Sequence, residues 1–188
     1  EVMVPLLTEE FLAATGYSMF RVIVPLLIGV LVAGKCGAAV AADVGARRLT
    51  HQFDAMRSFG VNPAHYLYGS IVAALVVGVP LLTAVGCAAN WYASLTAYLM
   101  TSEEATLAVF KRNFFATIWP AHRALPYGIG WVTFKGAASG AIIAAIAYAL
   151  GSRHKASAVD VSRDVGLTIF WGSLAVLLLH SLCSFVEF

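Results

Sequence analysis

The chain has 188 residues, of which 60% are hydrophobic and only 12% charged, and its mean hydropathy is +0.82. A water-soluble domain rarely carries so little charge, so the bilayer is the expected solvent and the fold all-α, each helix satisfying its own backbone. A formal net charge of +2 is too small to indicate a nucleic-acid partner, and no basic run is interleaved with stacking aromatics.

Residues 1–17 are mixed, with Glu9 and Glu10 as breaks, so a helix is expected to begin near Thr15 or Ser18. Residues 18–42 are long enough, at ~1.5 Å per residue, to cross a ~30 Å hydrocarbon core, and Pro25 is a candidate kink. The polar segment 47–63 follows. Thr50 reads as an N-cap, Gly60 as a C′ residue and Pro63 as a stop, which predicts a helix over 50–59. Leu49, Phe53, Met56 and Phe59 form one apolar stripe, away from Gln52, Asp54, Arg57 and Ser58. A helix this short is unstable alone in water, so lipid headgroups or a partner protein must receive the stripe.

Residues 66–100 contain no charge and exceed the ~20 residues a span needs, which predicts a break or tilt near Pro80 or Gly86. Segment 101–124 carries Glu103, Glu104, Lys111, Arg112 and Arg123. It reads as an interfacial or extramembrane helix, with Trp119 and Tyr127 near the water boundary. Residues 125–150 form a third span despite Lys135, 151–164 a polar loop, and 165–185 the last span. Arg47, Arg48, Arg57, Arg153, Lys155 and Arg163 outnumber Lys111, Arg112 and Arg123. The positive-inside rule therefore puts 47–63 and 151–164 in the cytoplasm, with Glu1, Glu9, Glu10 and Glu187 outside.

Cys36, Cys87 and Cys183 all lie in apolar segments and read as small buried hydrophobes. His51, His65, His122, His154 and His180 show no metal-ligand spacing, and no metal or catalytic group is expected. No G-x-x-x-x-G-K-[ST] occurs, so no nucleotide or other cofactor is expected in this chain. Gly34, Gly37, Ala38, Ala41 and Gly45, and the pair Gly136 and Gly140, recur at three- and four-residue spacing. Such small residues let helices approach closely, within one subunit in the first reading or across a dimer seam in the second. Lys35 and Asp43 are intramembrane charges, read as snorkelling or pairing at the boundary. Arg21 fits a lipid phosphate or interfacial anchoring.

The run Ala33-Gly34-Lys35-Cys36-Gly37-Ala38-Ala39-Val40-Ala41-Ala42-Asp43-Val44-Gly45, then Gln52-Phe53-Asp54-Ala55-Met56 and Gly60-Val61-Asn62-Pro63, resembles the MlaE/YrbE permease family. Members of that family show A-G-R-x-G-x-A-x-x-A-E-I-G followed by E-Q-I-D-A-L-x-x-M-G-V-D-P. The resemblance extends over most of the chain from about Met19. Val22 and Val24 stand where the family pattern R-E-L-G-P has an acidic residue and a glycine. Lys35 replaces an arginine, and Arg163-Asp164-Val165-Gly166 stands for Arg-Ala-Thr-Thr.

The resemblance implies one polytopic transmembrane permease domain over 1–188, without the family's amphipathic N-terminal helix and first spanning helix. Glu1 is accordingly expected to lie inside a longer natural chain. The implied role is the inner-membrane, multi-pass subunit of an ABC transporter that moves phospholipid or a related lipid. Its implied partners are a cytoplasmic ABC ATPase holding ATP and Mg, a second permease (identical or divergent), an external MCE-domain protein and membrane lipids. Helix 50–59 becomes the cytoplasmic coupling helix, with Gln52, Phe53, Asp54, Met56, Arg57 and Phe59 toward the ATPase. Met19, Arg21, Val22, Ile23 and Leu26 become the border of a lipid cavity between the first helices of two subunits. The alternatives are a membrane scaffold of an envelope complex, or an intramembrane lipid-modifying enzyme. The enzyme would need convergent His, Asp or Ser groups that the sequence does not show.

Overall fold

A computed structural model describes residues 3–101, 106–119 and 125–187, with side chains from Glu10 onward. Glu1, Glu103, Glu104, His122 and Arg123 lie outside the described residues. The described residues form helices and connections without a strand, and four helices are long and apolar enough to cross a membrane: Glu10–Leu49, Ala64–Thr101, Ile129–Gly151 and Ala158–Glu187.

The first helix starts earlier than its sequence suggests. It runs from α1 (Met3–Ser18) through a π-helical turn at Met19–Ile23 into α2 (Val24–Val32), then through a second π-helical turn at Ala33–Gly37 into α3 (Ala38–Leu49). Glu9 and Glu10 do not break it, because glutamate is a good helix former and the neighbouring Leu12 is held in an aromatic cluster. Pro25 is the second residue after the first π-helical turn and is buried. Proline offers no N–H to the carbonyl one turn back, which here belongs to Arg21.

After a short helix α4 (Gln52–Ser58) and a π-helical turn at Ala64–Tyr68, α5 (Gly69–Thr101) runs 33 residues without a break, Pro80 included. Of the two expectations, a break or a tilt, the break is absent: α7 (Ile129–Gly151) braces that stretch. A Cβ at Gly140 would fall on the Leu75 carbonyl, and one at Gly136 would lie 3.4 Å from Pro80. The glycine pair therefore serves packing within one subunit. At ~1.5 Å per residue α5 is roughly 50 Å long and outruns a ~30 Å core. Its overhanging end packs Trp91, Leu95 and Tyr98 against Leu12 and against Phe110 and Phe114 of α6 (Leu107–Phe114).

The last helix, α8 (Ala158–Glu187), lies along the first helix and α7. Gly29, Gly37 and Gly45 open one face of the first helix to Val176, Thr168 and Val161. The central core joins Val32, Ala33, Leu75, Val79, Ile143, Ala144 and Val176. Leu81, Val85, Leu178 and Leu182 are exposed, as expected of a surface whose solvent is hydrocarbon. Cys183 is buried and Cys87 half-buried, but Cys36 is exposed, because the second π-helical turn puts it on the outward face of the first helix.

Candidate functional site

Charged and exposed groups gather at the two ends of this bundle. At one end α4 covers residues 52–58 rather than 50–59. Thr50 is not its N-cap. The Thr50 hydroxyl donates back to the Ala46 carbonyl at 2.9 Å and closes α3 instead. His51 takes the capping position in a left-handed conformation (φ 58°), uncommon for a side chain larger than glycine. The C-terminus matches expectation. Gly60 (φ 74°) donates to the Arg57 carbonyl at 3.0 Å, and Val61 donates to Met56 at 3.0 Å, the Schellman pattern. Asn62 Oδ1 then accepts the Ala64 N–H at 3.0 Å and starts the next helix.

The apolar stripe is divided. Phe53 is only 3% exposed, packed with Val44 and Leu67 beneath Val40, Ile71 and Tyr148. Leu49 and Met56 are half-buried, while Phe59, at the C-cap, is 83% exposed. The chain's own core thus receives one end of the stripe, and burying a phenylalanine is worth about 1.5–3 kcal/mol. Gln52, Asp54 and Arg57 face outward. Asp54 lies 3.3 Å from His51 Nδ1, 3.4 Å from Arg48 and 3.9 Å from Arg57. The hydrogen bond from His51 holds the Asp54 carboxyl below its ordinary value against an opposing desolvation, with Arg48 and Arg57 adding to the lowering. These pairs are open to solvent and weak.

The same end holds a buried pair. Lys155, expected on a solvated loop, packs its ammonium against Asp164 of α8 and donates to the Leu150 carbonyl at 2.9 Å. Both side chains are nearly fully buried. The Leu150 carbonyl belongs to the last turn of α7 and also accepts the Arg153 N–H at 3.3 Å, so Lys155 ties the end of α7 to α8. Asp164 is one of the residues that depart from the family pattern, and it supplies the anion.

At the opposite end the first helix, α7 and α8 meet in a buried ionic cluster. Arg21 pairs with Glu187 and donates to the Tyr17 hydroxyl at 2.8 Å, its guanidinium 5.0 and 5.2 Å from the Tyr17 and Tyr127 ring centres. Glu187 also accepts from Lys135 at 2.6 Å, and Lys135 donates to the Arg21 carbonyl at 2.9 Å, the acceptor that Pro25 leaves without its helical donor. Gly128 (φ 80°) caps α7 and leaves room for the guanidinium, which a Cβ there would crowd at 2.9 Å. Glu187 was expected in solution outside the membrane. The fold instead turns its side chain inward, where it supplies the carboxylate that Val22 lacks.

The five residues expected at a lipid cavity do not share one surface. Val22 and Leu26 line a groove of about 500 Å³ with Leu177, His180, Ser184 and Phe185. Met19 and Ile23 line a smaller one, about 220 Å³, with Phe11 and Thr15. Arg21 is buried between them in the ionic cluster. Sequence reasoning did not assign a role to Ser139 and His180, whose polar atoms lie 3.4 Å apart beside Lys135. No spacing rule connects positions so far apart in the chain.

Four apolar spans with buried ion pairs at both ends define a polytopic α-helical membrane protein. Within that class the chain belongs to the MlaE permease family, whose model, described as Permease MlaE, matches residues 5–186. The chain is 27% identical over 175 residues to the probable ABC transporter permease protein slr1045 of Synechocystis, covering 91% of this chain and 62% of that protein. It thus spans less than two thirds of that relative's length. A probable ABC transporter permease protein of Rickettsia felis is 36% identical over 69 residues, 37% of this chain and 27% of its own. The chloroplastic protein trigalactosyldiacylglycerol 1 of Arabidopsis thaliana is 30% identical over 132 residues, 70% of this chain and 35% of its own.

Proposed function

We propose that this chain is the permease subunit of an inner-membrane ABC transporter that moves phospholipid or a related lipid, driven by a separate ATPase through α4. The observation that carries the reading is α4 itself. It is fixed to the bundle by Phe53 and presents Gln52, Asp54, Arg57 and Phe59 outward between two spans. A helix anchored at its root and bare at its face transmits a push into the first helix and α5, which flank it. Relatives named as ABC transporter permeases support an ATPase partner, which would hold the ATP and Mg. The relative named after a diacylglycerol lipid supports a lipid cargo.

In this reading α4 and the loop after α7 face the cytoplasm, α6 faces an external MCE-domain protein, and a second permease, identical or divergent, completes the pore. Val22, Leu26, Met19 and Ile23 then offer apolar walls to acyl chains on either side of the Arg21 cluster. The test is co-purification of the ATPase with the wild type and with the double variant Asp54→Arg, Phe59→Ala. Loss of ATPase with the permease still folded supports the reading. Undiminished ATPase, still stimulated by the complex, refutes it and leaves a scaffold role.

A further inference from the structure

Among the described residues, Lys35 stands apart from the other membrane charges in being exposed and without an ion-pair partner. It sits in the second π-helical turn of a 40-residue apolar helix, Glu10–Leu49. Arg21 and Lys135 share Glu187, Lys155 has Asp164, and Arg47 has Asp43 at 2.8 Å. No carboxylate among the described residues pairs with Lys35. Asp43, the nearest on the same helix, is about 12 Å away along the axis and already engaged. Lys35 lies about 21 Å from Arg21 and about 18 Å from Arg47 along the helix, close to the middle of the span.

The surroundings favour a ligand. Ile23, Leu27, Leu31, Lys35, Ala39 and Asp43 recur at four-residue spacing and are all exposed, so Lys35 is the cation in the middle of one outward stripe. Gly34 beside it has nothing within 4 Å of where a Cβ would stand, so the helix surface adjoining Lys35 is open. An unpaired ammonium facing acyl chains at mid-membrane is costly. Snorkelling toward the nearer, α4 end runs against the tilt of helical side chains, which lean toward the N-terminus. The stripe therefore does not face bulk lipid.

We infer that Lys35 is a headgroup station: it receives the anionic headgroup, a phosphodiester or carboxylate, of a lipid lying between this helix and a second permease. The inference rests on the proposed function and sharpens it, since it assigns the cargo a negative headgroup and places a polar contact deeper than Arg21. Lysine presents a compact point charge that accepts either oxyanion without a fixed geometry. Arg21, buried and already paired with Glu187 and the Tyr17 hydroxyl, is not available for that contact in this arrangement.

The test is the lipid carried by the intact complex, extracted and quantified by mass spectrometry for the wild type, Lys35→Gln and Lys35→Arg. The glutamine variant should lower the anionic share of bound lipid about two- to fivefold, the effect of one ion pair in a polar setting, and the arginine variant should keep it. An unchanged anionic share in Lys35→Gln overturns the inference. So does separation of the two permeases with lipid unchanged, which would assign Lys35 to a carboxylate of the second subunit. Should Lys35→Gln not fold, a benzophenone on Cys36 in a Cys87→Ala, Cys183→Ala background should capture anionic lipid, and capture of neutral lipid or protein alone contradicts the inference. A wild-type complex devoid of lipid would instead overturn the proposed function.

Discussion

The two ends of the bundle use the same charged residue types in opposite ways. Where α7 begins and α8 ends, Arg21, Lys135 and Glu187 are shut away from solvent and bind three helices together. At α4, Arg48, His51 and Arg57 share Asp54 in the open. Removing one partner of a buried ion pair typically costs about 3–5 kcal/mol, because the other charge is stranded, whereas an exposed pair is worth about 0–1 kcal/mol. The buried cluster therefore fixes the architecture. The exposed one contributes little to folding and is free to be spent on a partner.

That contrast breaks first at Glu187. Glu187→Gln leaves Arg21 and Lys135 facing each other without an anion and should destabilise the bundle by about 3–5 kcal/mol, read as denaturant or thermal unfolding in detergent. A loss below about 1 kcal/mol would mean that water reaches the cluster. Lys155→Met should cost about 3 kcal/mol by stranding Asp164, and adding Asp164→Leu should restore much of it. Arg163, 3.8 Å from Asp164, moderates the single-variant loss.

The divided stripe gives a sharper version of the same contrast. Phe53→Ala should cost about 3 kcal/mol through the cavity it leaves, while Phe59→Ala should shift stability by less than about 0.5 kcal/mol. ATPase co-purification should show the reverse sensitivity at Phe59. Asp54→Arg is expected to leave folding unchanged, because its ion pairs are open to solvent, with ATPase association weakened by the reversed charge. Equal folding losses at Phe53 and Phe59 would show that α4 is not anchored as described.

Much of this was legible in the sequence where chemistry is local. The spans followed from apolar length. The C-terminus of α4 followed from Gly60, whose positive φ the Schellman turn requires. The N-terminus of α4 was misread because Thr50 has two local partners to choose between, and the Ala46 carbonyl of α3 takes it. The sequence leaves a break or a tilt open near Pro80 or Gly86, because the brace at Pro80, Gly136 and Gly140, lies on another helix. The buried charges were least legible. Lys135 was visible as a charge inside an apolar run, but its partners Glu187 and the Arg21 carbonyl are set by tertiary packing. Glu187, at the end of an apolar helix, reads as a solvated end until α7 and the first helix are placed beside it.

The direct measurement is movement of a labelled phospholipid in proteoliposomes that contain this chain with its co-purifying partners, with and without ATP. ATP-dependent lipid movement, stopped by a non-hydrolysable analogue and by Asp54→Arg with Phe59→Ala, is the predicted result. ATP hydrolysis without lipid movement, or movement at the same rate without ATP, would contradict it.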